Sequence, residues 1–279
     1  MAKLARLDTE MVRRKLAHSR AHAQELIQAG RVKVSGMEVF KSARQINPAE
    51  PIFVIESDEV NYVSRGAHKL VGALNILGSL APQVQGRNCL DAGASTGGFT
   101  DVLLRRGAKH VVAADVGYGQ LAWKLQSDPR VTVLDRTNVR TLTPEQVGYT
   151  PELVVGDLSF ISLTLILPAL VKCGGESTDY LLMVKPQFEI GKERLGSGGV
   201  VRNLDHHVET VLKVANCAHE LGLDIYGVAA SPLPGPAGNV EYFLAMRKQH
   251  PQALAADEYE AAIRRAVAQG PAGDNKSVS

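Results

Sequence analysis

The chain has 279 residues, of which 45% are hydrophobic and 22% are charged, and its formal net charge is +2. These values are typical of a globular protein with room for one large and one small domain. The sequence also predicts no membrane-spanning helix. The longest apolar run, residues 161–171, is too short to cross a bilayer and contains Pro168. Three widely spaced cysteines and a start without a signal-peptide core indicate a cytoplasmic protein without a metal site.

The N-terminal segment is the most basic part of the chain, with ten Lys/Arg against four Asp/Glu in residues 1–45. Such a segment indicates a module that binds a polyanion, although a solvated charged surface has the same composition. Apolar spacing predicts one helix over 7–17 and a second helix that is capped by Ser19 and ended by Gly30. Alternating residues at 31–34, a turn at Ser35-Gly36 and apolar residues at 52–55 predict a small sheet.

A polar stretch, residues 56–64, separates this module from the remainder, and Ser64 is predicted to cap a helix that runs to about Leu77. Lys69 lies beside the apolar stripe of that helix, and its position alone favours a surface lysine. Farther along, strands and helices alternate, which predicts an α/β fold with a mostly parallel sheet covered on both faces. Strands are predicted near 88–92, 110–115, 131–135, 153–157, 179–185, 224–230 and 240–247. Helices are predicted near 98–106, 119–126, 161–172, 205–221 and 256–268.

The stretch from Leu90 to Asp101 combines the end of a buried strand, a glycine-rich turn and the start of a helix. Its glycines allow a ligand to approach the backbone, and the helix N-terminus offers N–H groups to it. Asp115 ends the next strand, 22 residues after Gly93, where a carboxylate can bind both hydroxyls of a ribose. The spacing differs from the dinucleotide motif G-x-G-x-x-G and, with Asp91, favours S-adenosylmethionine over NAD. The alternative is a glycine-rich turn that binds nothing. The predicted cofactor-binding residues are Asp91, Gly93, Ala94, Ser95, Thr96, Gly97, Gly98, Phe99, Asp115 and Asn138.

Three further polar side chains lie at the ends of predicted strands. Asp157 and Lys185 each follow an apolar run, and Glu241 opens the last strand. Ligands of open α/β sheets bind at the carboxyl ends of the strands, so these side chains are candidates for chemistry. A structural ion pair between Asp157 and Lys185 is the alternative. The loop of residues 191–199 is glycine-rich and is either a mobile flap or a plain connection.

Two family resemblances appear in these motifs. Arg6-Leu7-Asp8, Leu16 to Arg20 and Leu26 to Gly36 resemble an S4 domain, which binds structured RNA. That resemblance makes Arg6, Arg20, Arg31 and Lys33 candidate RNA contacts. The whole chain resembles the TlyA family, S4-domain ribose 2′-O-methyltransferases of ribosomal RNA related to the FtsJ-like group. The segments that carry this likeness are 64–70, 90–100, 157–162, 184–189 and 238–243.

The TlyA resemblance implies a Lys-Asp-Lys-Glu tetrad, which falls on Lys69, Asp157, Lys185 and Glu241. It implies S-adenosylmethionine as cofactor and a cytidine ribose in large-subunit RNA as target. Members with an extra C-terminal helix also modify small-subunit RNA, and their loss confers resistance to capreomycin-type antibiotics. Lys185 is expected to activate the 2′-hydroxyl, as a base or as a stabiliser of the alkoxide. Asp157 would orient Lys185, and Glu241 would position Lys69 or the ribose.

The sequence therefore predicts four segments in a monomeric protein that acts on ribosomal RNA or ribosomal subunits. They are an S4-like RNA-binding domain (1–60), a linker (61–64), a Rossmann-like methyltransferase domain (65–250) and a C-terminal helix with a disordered tail (251–279). Two other functions are considered. A non-catalytic RNA-binding protein would not need the tetrad, and a haemolysin would need a membrane-active segment that the sequence does not show.

Overall fold

The structure, a computed structural model, describes residues 4–17, 19–28, 30–55 and 62–274. It divides the chain into two units, Met1–Asn61 and Tyr62–Ser279. Residue 61 of the predicted linker lies outside the described residues, and residues 62–64 belong to the second unit. Each unit has a hydrophobic core of its own.

The first unit consists of two helices and short antiparallel strands. Ser19 Oγ accepts a hydrogen bond from the backbone N–H of His22 at 3.1 Å, which is the predicted cap. Helix α1 ends at Arg13 rather than at residue 17, and Lys15 has a positive φ of 59° that helices do not accommodate. The antiparallel pairing of Ala5–Arg6 with Gln45–Ile46 was not predicted, because two-residue strands show no alternation. The elements are β1 Ala5–Arg6, α1 Leu7–Arg13, α2 Arg20–Gln28, β2 Val32–Val34, β3 Met37–Glu38, β4 Gln45–Ile46 and β5 Ile52–Val54.

The second unit is a seven-stranded sheet with helices on both faces, as predicted. Its strands are β6 Asn88–Ala92, β7 His110–Ala114, β8 Val131–Leu134, β9 Leu153–Gly156, β10 Asp179–Val184, β11 Asp224–Ala230 and β12 Tyr242–Arg247. Its helices are α3 Gly66–Leu77, α4 Gly98–Arg105, α5 Trp123–Gln126, α6 Pro144–Val147, α7 Leu167–Cys173, α8 Pro186–Glu189, α9 Leu204–Glu220, α10 Tyr259–Gln269 and α11 Pro271–Asp274.

The strand order is β11-β12-β10-β9-β6-β7-β8, and β12 is antiparallel to both of its neighbours. The chain leaves β6 toward β7 on one side and later returns to β9 on the other, so β6 and β9 flank a topological switch point. Alternate residues of β10 face the two core layers on opposite sides of the sheet. Tyr180, Leu182 and Val184 belong to one layer, and Leu181 and Met183 belong to the other. Burial on both faces explains why this strand is apolar throughout.

Four expectations about the helices of this unit were wrong in detail. The N-cap of α3 is Arg65, without a side-chain cap, and Ser64 contributes only its carbonyl to the first turn. Helix α5 begins at Trp123 rather than near 119, because residues 116–122 form a loop. The predicted helix 161–172 is divided into a 3₁₀ turn and α7, whose first turn contains Pro168. The predicted disordered tail is helical at Pro271–Asp274, where Ala272 is buried, and residues 275–279 lie outside the described part.

A buried carboxylate, Asp179, joins the amino end of β10 to three neighbouring segments. It accepts two hydrogen bonds from Arg247 on β12, at 2.8 and 2.7 Å, and one from Arg87 before β6 at 2.5 Å. The hydroxyl of Tyr226 on β11 donates to it at 3.0 Å. This network lies at the opposite end of the strands from the loops that follow Ala92 and Val184.

We expect Asp179→Ala to lower the free energy of unfolding by about 3–5 kcal/mol, because it leaves two half-buried guanidinium groups without their carboxylate. Glu176→Ala is the matched control. Its ion pair with Lys248 involves a carboxylate that is 80% exposed, so the expected change is about 0–1 kcal/mol. Urea denaturation of both variants measures the difference, and equal midpoints would contradict the prediction.

Candidate active site

The glycine-rich turn lies at the switch point between β6 and β9. Gly93 has a φ of +85°, and its backbone N–H donates to the carbonyl of Ala114 at 2.8 Å. A Cβ at this position would stand 3.1 Å from the carbonyl oxygen of Asp157, so only glycine fits here without a shift. The turn after β6 and the polar residues after β9 therefore share one edge of the sheet.

The remaining residues of the turn divide into an outer and an inner group. Ser95 and Thr96 are exposed, while Gly97 and Gly98 are buried. A Cβ on Gly98 would stand 2.9 Å from the backbone nitrogen of Ala67, so this glycine allows α3 to approach α4 closely. Phe99 was predicted to bind the cofactor, but its side chain is 3% exposed and packs against Phe243 in the core. Ala94 is also buried.

Asp91 is fully buried at the end of β6. Its Oδ2 accepts a hydrogen bond from Thr100 Oγ1 at 2.7 Å, and its Oδ1 has no hydrogen-bond partner. Burial raises the pKa of this carboxyl from its ordinary value of 3.8 to about 7, although the hydrogen bond from Thr100 acts in the opposite direction. An orphaned carboxylate oxygen in this position is suited to a cationic ligand group.

Asp115 and Asn138 follow the next two strands. The Asp115 carboxylate accepts hydrogen bonds from the backbone N–H groups of Ser95 at 2.8 Å and Gly117 at 2.7 Å. Asp115 thereby links the glycine-rich turn to the loop after β7. Asn138 is exposed, and its side chain caps a 3₁₀ turn by accepting from the N–H of Arg140.

The structure arranges the four tetrad candidates as two ion pairs. Lys69 Nζ lies 2.5 Å from Glu241 Oε2, and both side chains are at most 9% exposed. Lys185 Nζ lies 2.6 Å from Asp157 Oδ1. Lys69 is therefore buried, and the interpretation from position alone as a surface lysine was wrong.

The sheet and α3 place these four groups together. Asp157 and Lys185 follow the parallel neighbours β9 and β10, and Glu241 precedes β12, whose antiparallel direction brings its first end to the same edge. Gly66 in the first turn of α3 lies beside the Asp157 carboxylate, since a Cβ there would stand 3.9 Å from Oδ2. The two pairs thus meet at the edge that also holds the glycine-rich turn.

Sequence reasoning missed three side chains beside the pairs. Ser159 Oγ accepts a hydrogen bond from Lys185 Nζ at 2.7 Å. Gln187 Nε2 donates to Glu241 Oε1 at 3.4 Å, and its buried Oε1 has no partner. Phe160 is 90% exposed with a φ of +64°, and its ring lies 5.2 Å from that of Phe188. The signals available in the sequence were a polar residue two positions after Lys185 and an aromatic residue three positions after Asp157.

The candidate RNA contacts of the first unit lie on two features. Arg6 and Arg20 both bond to the buried carboxylate of Asp8, at 2.8 and 3.3 Å, with half of each side chain exposed. The Arg31 guanidinium donates to the carbonyl of Ile55. Lys33 lies in the central strand β2 between Phe53 and Glu38. The structure therefore does not gather the four residues at one point.

Fold and site together define an α/β protein with a candidate nucleoside-cofactor turn and paired lysines and carboxylates beside it. The FtsJ-like methyltransferase model matches residues 62–248, and the S4 domain model matches residues 5–48. The chain belongs to the TlyA family of FtsJ-like methyltransferases with an N-terminal S4 domain, which confirms both resemblances and the expected enzyme class.

Three similar proteins illustrate this membership. The Mycobacterium tuberculosis 16S/23S rRNA (cytidine-2′-O)-methyltransferase TlyA is 57% identical over 97% of this chain and 100% of its own length. Hemolysin A of Brachyspira hyodysenteriae is 37% identical over 85% of this chain and 97% of its own. A solved structure of a hemolysin-named protein from Streptococcus thermophilus has a TM-score of 0.74 and 33% identity, covering 99% of this chain and 100% of that one. Within the described residues, no helix has the length and apolar character of a membrane span.

We expect the buried Asp91 carboxyl to make stability depend on pH. Its pKa of about 7 lies above the ordinary 3.8, so it favours the folded state at low pH, and that contribution is lost as the pH rises through 7. Asp91→Asn should remove this decrease in the free energy of unfolding, which amounts to roughly 4 kcal/mol at most between pH 4 and pH 8. Denaturant unfolding at several pH values measures it, with the exposed Asp257→Asn as control. Parallel pH profiles for wild type and Asp91→Asn would contradict the assignment.

Proposed function

We propose that this protein transfers a methyl group from S-adenosylmethionine to the 2′-hydroxyl of a cytidine ribose in ribosomal RNA. The observation that carries the proposal is the meeting of two lysine–carboxylate pairs with the glycine-rich turn at one edge of the sheet, where only Asp157 of the four side chains is partly exposed. Buried ion pairs contribute little net stability, so their concentration beside a candidate cofactor turn favours a catalytic role. The 57% identical relative from Mycobacterium tuberculosis is named as an rRNA (cytidine-2′-O)-methyltransferase, which supports the proposed target.

The residues of the turn fit a cationic nucleoside cofactor. The unpartnered Oδ1 of Asp91 is available to a positively charged group, and the Asp115 carboxylate to ribose hydroxyls. Ser95, Thr96 and Asn138 are exposed and would add further polar contacts to the cofactor at this edge of the sheet. S-adenosylmethionine would supply an electrophilic methyl group on a sulfonium centre.

In the proposed mechanism, Lys185 acts on the ribose 2′-oxygen. Both of its candidate roles, base and alkoxide stabiliser, require Nζ at that oxygen, and Ser159 and Asp157 hold Nζ at the rim of the sheet. Glu241 holds the ammonium group of Lys69, which would orient the ribose from the α3 side. The exposed ring of Phe160 offers a flat apolar face for the base of the target nucleotide.

The first unit would supply RNA affinity through Arg6, Arg20, Arg31 and Lys33, as its S4 model match supports. We further propose that the target lies in large-subunit RNA and also in small-subunit RNA. The presence of the C-terminal helix α10 supports the second target, because the resembling family members that also modify small-subunit RNA carry an extra C-terminal helix. We also propose that the protein is a monomer that acts on ribosomal subunits in the cytoplasm. Its activity would affect susceptibility to capreomycin-type antibiotics.

The test is mass-spectrometric mapping of ribose methylation in ribosomal RNA from cells with and without the gene. We expect one cytidine 2′-O-methyl group in each subunit RNA to depend on it. The purified protein with S-adenosylmethionine should restore both marks on unmethylated subunits. Identical maps would refute the proposed function, and a single dependent mark in the large subunit would refute the second target.

We expect Lys185→Ala to bind cofactor and RNA but to lose at least about 10²–10⁴-fold in single-turnover methyl transfer, the usual contribution of acid–base help. Lys185→Arg should not restore turnover, because a guanidinium has a different shape and does not release its proton near neutral pH. Lys172→Ala, an exposed lysine on α7, is the matched control. Near wild-type transfer by Lys185→Ala would show that the tetrad assignment is wrong.

We expect Lys33→Gln to weaken RNA binding and to lower the slope of log affinity against log salt by about 1, because one phosphate contact is lost. Cofactor affinity should not change. Arg6→Gln should also destabilise the first unit, since it removes a partner of the buried Asp8 carboxylate. Filter binding at several salt concentrations measures the slope, and thermal unfolding measures the loss of stability in Arg6→Gln. An unchanged slope for Lys33→Gln would remove it from the RNA contacts.

A further inference from the structure

Two large aromatic side chains are exposed in the loop and helix that follow Asp115. Tyr118 is 70% exposed, and Trp123, the single tryptophan of the chain, is 78% exposed. Val116 is also exposed but follows Asp115 directly, where the proposed cofactor would lie. The tetrad and the cofactor assignment thus leave Tyr118 and Trp123 without a role.

The backbone around these aromatics is held firmly against the glycine-rich turn. The N–H of Ala122 donates to the carbonyl of Thr96 at 3.2 Å, and Leu121 and Leu125 pack over Gly97. The N–H of Arg136 donates to the carbonyl of Gly117 at 2.8 Å. The segment that carries Trp123 therefore has one side on the cofactor turn and presents its aromatic side to solvent.

Arg136 adds a positive charge to the same loop. Its guanidinium carbon lies 4.4 Å from the centre of the Tyr118 ring, which is a cation–π contact. Arg136 has a positive φ of 52°, is exposed, and has no carboxylate partner among the described residues. Its N–H groups are thus available to a phosphate, while its plane is held by the tyrosine.

Exposed aromatics beside an unpaired arginine match the chemistry of single-stranded RNA, which presents flat bases and phosphates in alternation. We propose that Tyr118, Trp123 and Arg136, here called the Trp123 surface, bind unpaired nucleotides that flank the methylated one. A base stacks on Trp123, and a phosphate bonds to Arg136. This inference rests on the proposed function only in taking RNA as the substrate.

Because Trp123 is the single tryptophan, its fluorescence reports on this surface alone. A short unstructured oligoribonucleotide should quench the emission in a saturable manner. An abasic ribose-phosphate strand of equal length should bind more weakly and leave the emission nearly unchanged. Emission that is unaffected at saturating oligoribonucleotide, with binding followed by anisotropy of the labelled strand, would overturn the proposal.

Variants separate stacking from charge. Trp123→Ala should weaken oligoribonucleotide binding roughly 5- to 150-fold, the contribution of one stacked base, without changing the salt slope. Trp123→Phe should retain most of the affinity, and Arg136→Gln should lower the salt slope by about 1. Ile76→Ala on α3, at a side chain that is 58% exposed, is the matched control and should bind as wild type.

Fluorescence and RNA affinity are measured without methyl transfer, so the proposed function and the proposed Trp123 surface can be refuted independently of each other. Quenching without methyl transfer to ribosomal subunits would refute the proposed function and support the RNA surface. Methyl transfer with unchanged RNA affinity in Trp123→Ala would refute the surface alone. Thermal unfolding of each variant should match wild type, because the side chains of Trp123 and Arg136 are exposed.

Discussion

Pairing of four charged side chains at one edge of a sheet, three of them buried and Asp157 partly exposed, is the constraint on which the second unit depends. Each lysine reaches a carboxylate on a different element, so neither pair exists until α3, β9, β10 and β12 are in place. Removing one partner would leave a buried charge uncompensated, which costs far more than the pair contributes. Close packing at Gly98, and at Gly72 against Pro232, holds α3 where Lys69 can reach Glu241.

The sheet could be predicted from sequence because its strands are buried on both faces and are therefore apolar throughout. The polar residue that ends each run then marks the functional edge, which is how Asp91, Asp115, Asp157 and Lys185 were found. Lys69 could not be found in this way. Its burial depends on the docking of α3 against α4 and β11. Local helical spacing contains no information about that docking, and only the family resemblance indicated the role of Lys69.

Loops and charge partners were the least predictable features. Ser159 accepts a hydrogen bond from Lys185, and Gln187 donates one to Glu241. Both contacts depend on loop conformations that the periodicity of the sequence does not describe. In the first unit, composition indicated a basic module. It did not show that Asp8 is fully buried and forms ion pairs with Arg6 and Arg20, two of the four candidate RNA contacts.

The position of β12 has a consequence for how the protein is made. It lies between β10 and β11, although it is the last strand within the described residues, so these two strands have no common neighbour until residues 242–247 have left the ribosome. Glu241 arrives with the same strand. Pairing of β12 with β10 joins segments that are about 60 residues apart in the chain, and non-local contacts of this kind slow folding. A nascent chain that stops before this strand has neither a closed sheet nor a complete set of charges.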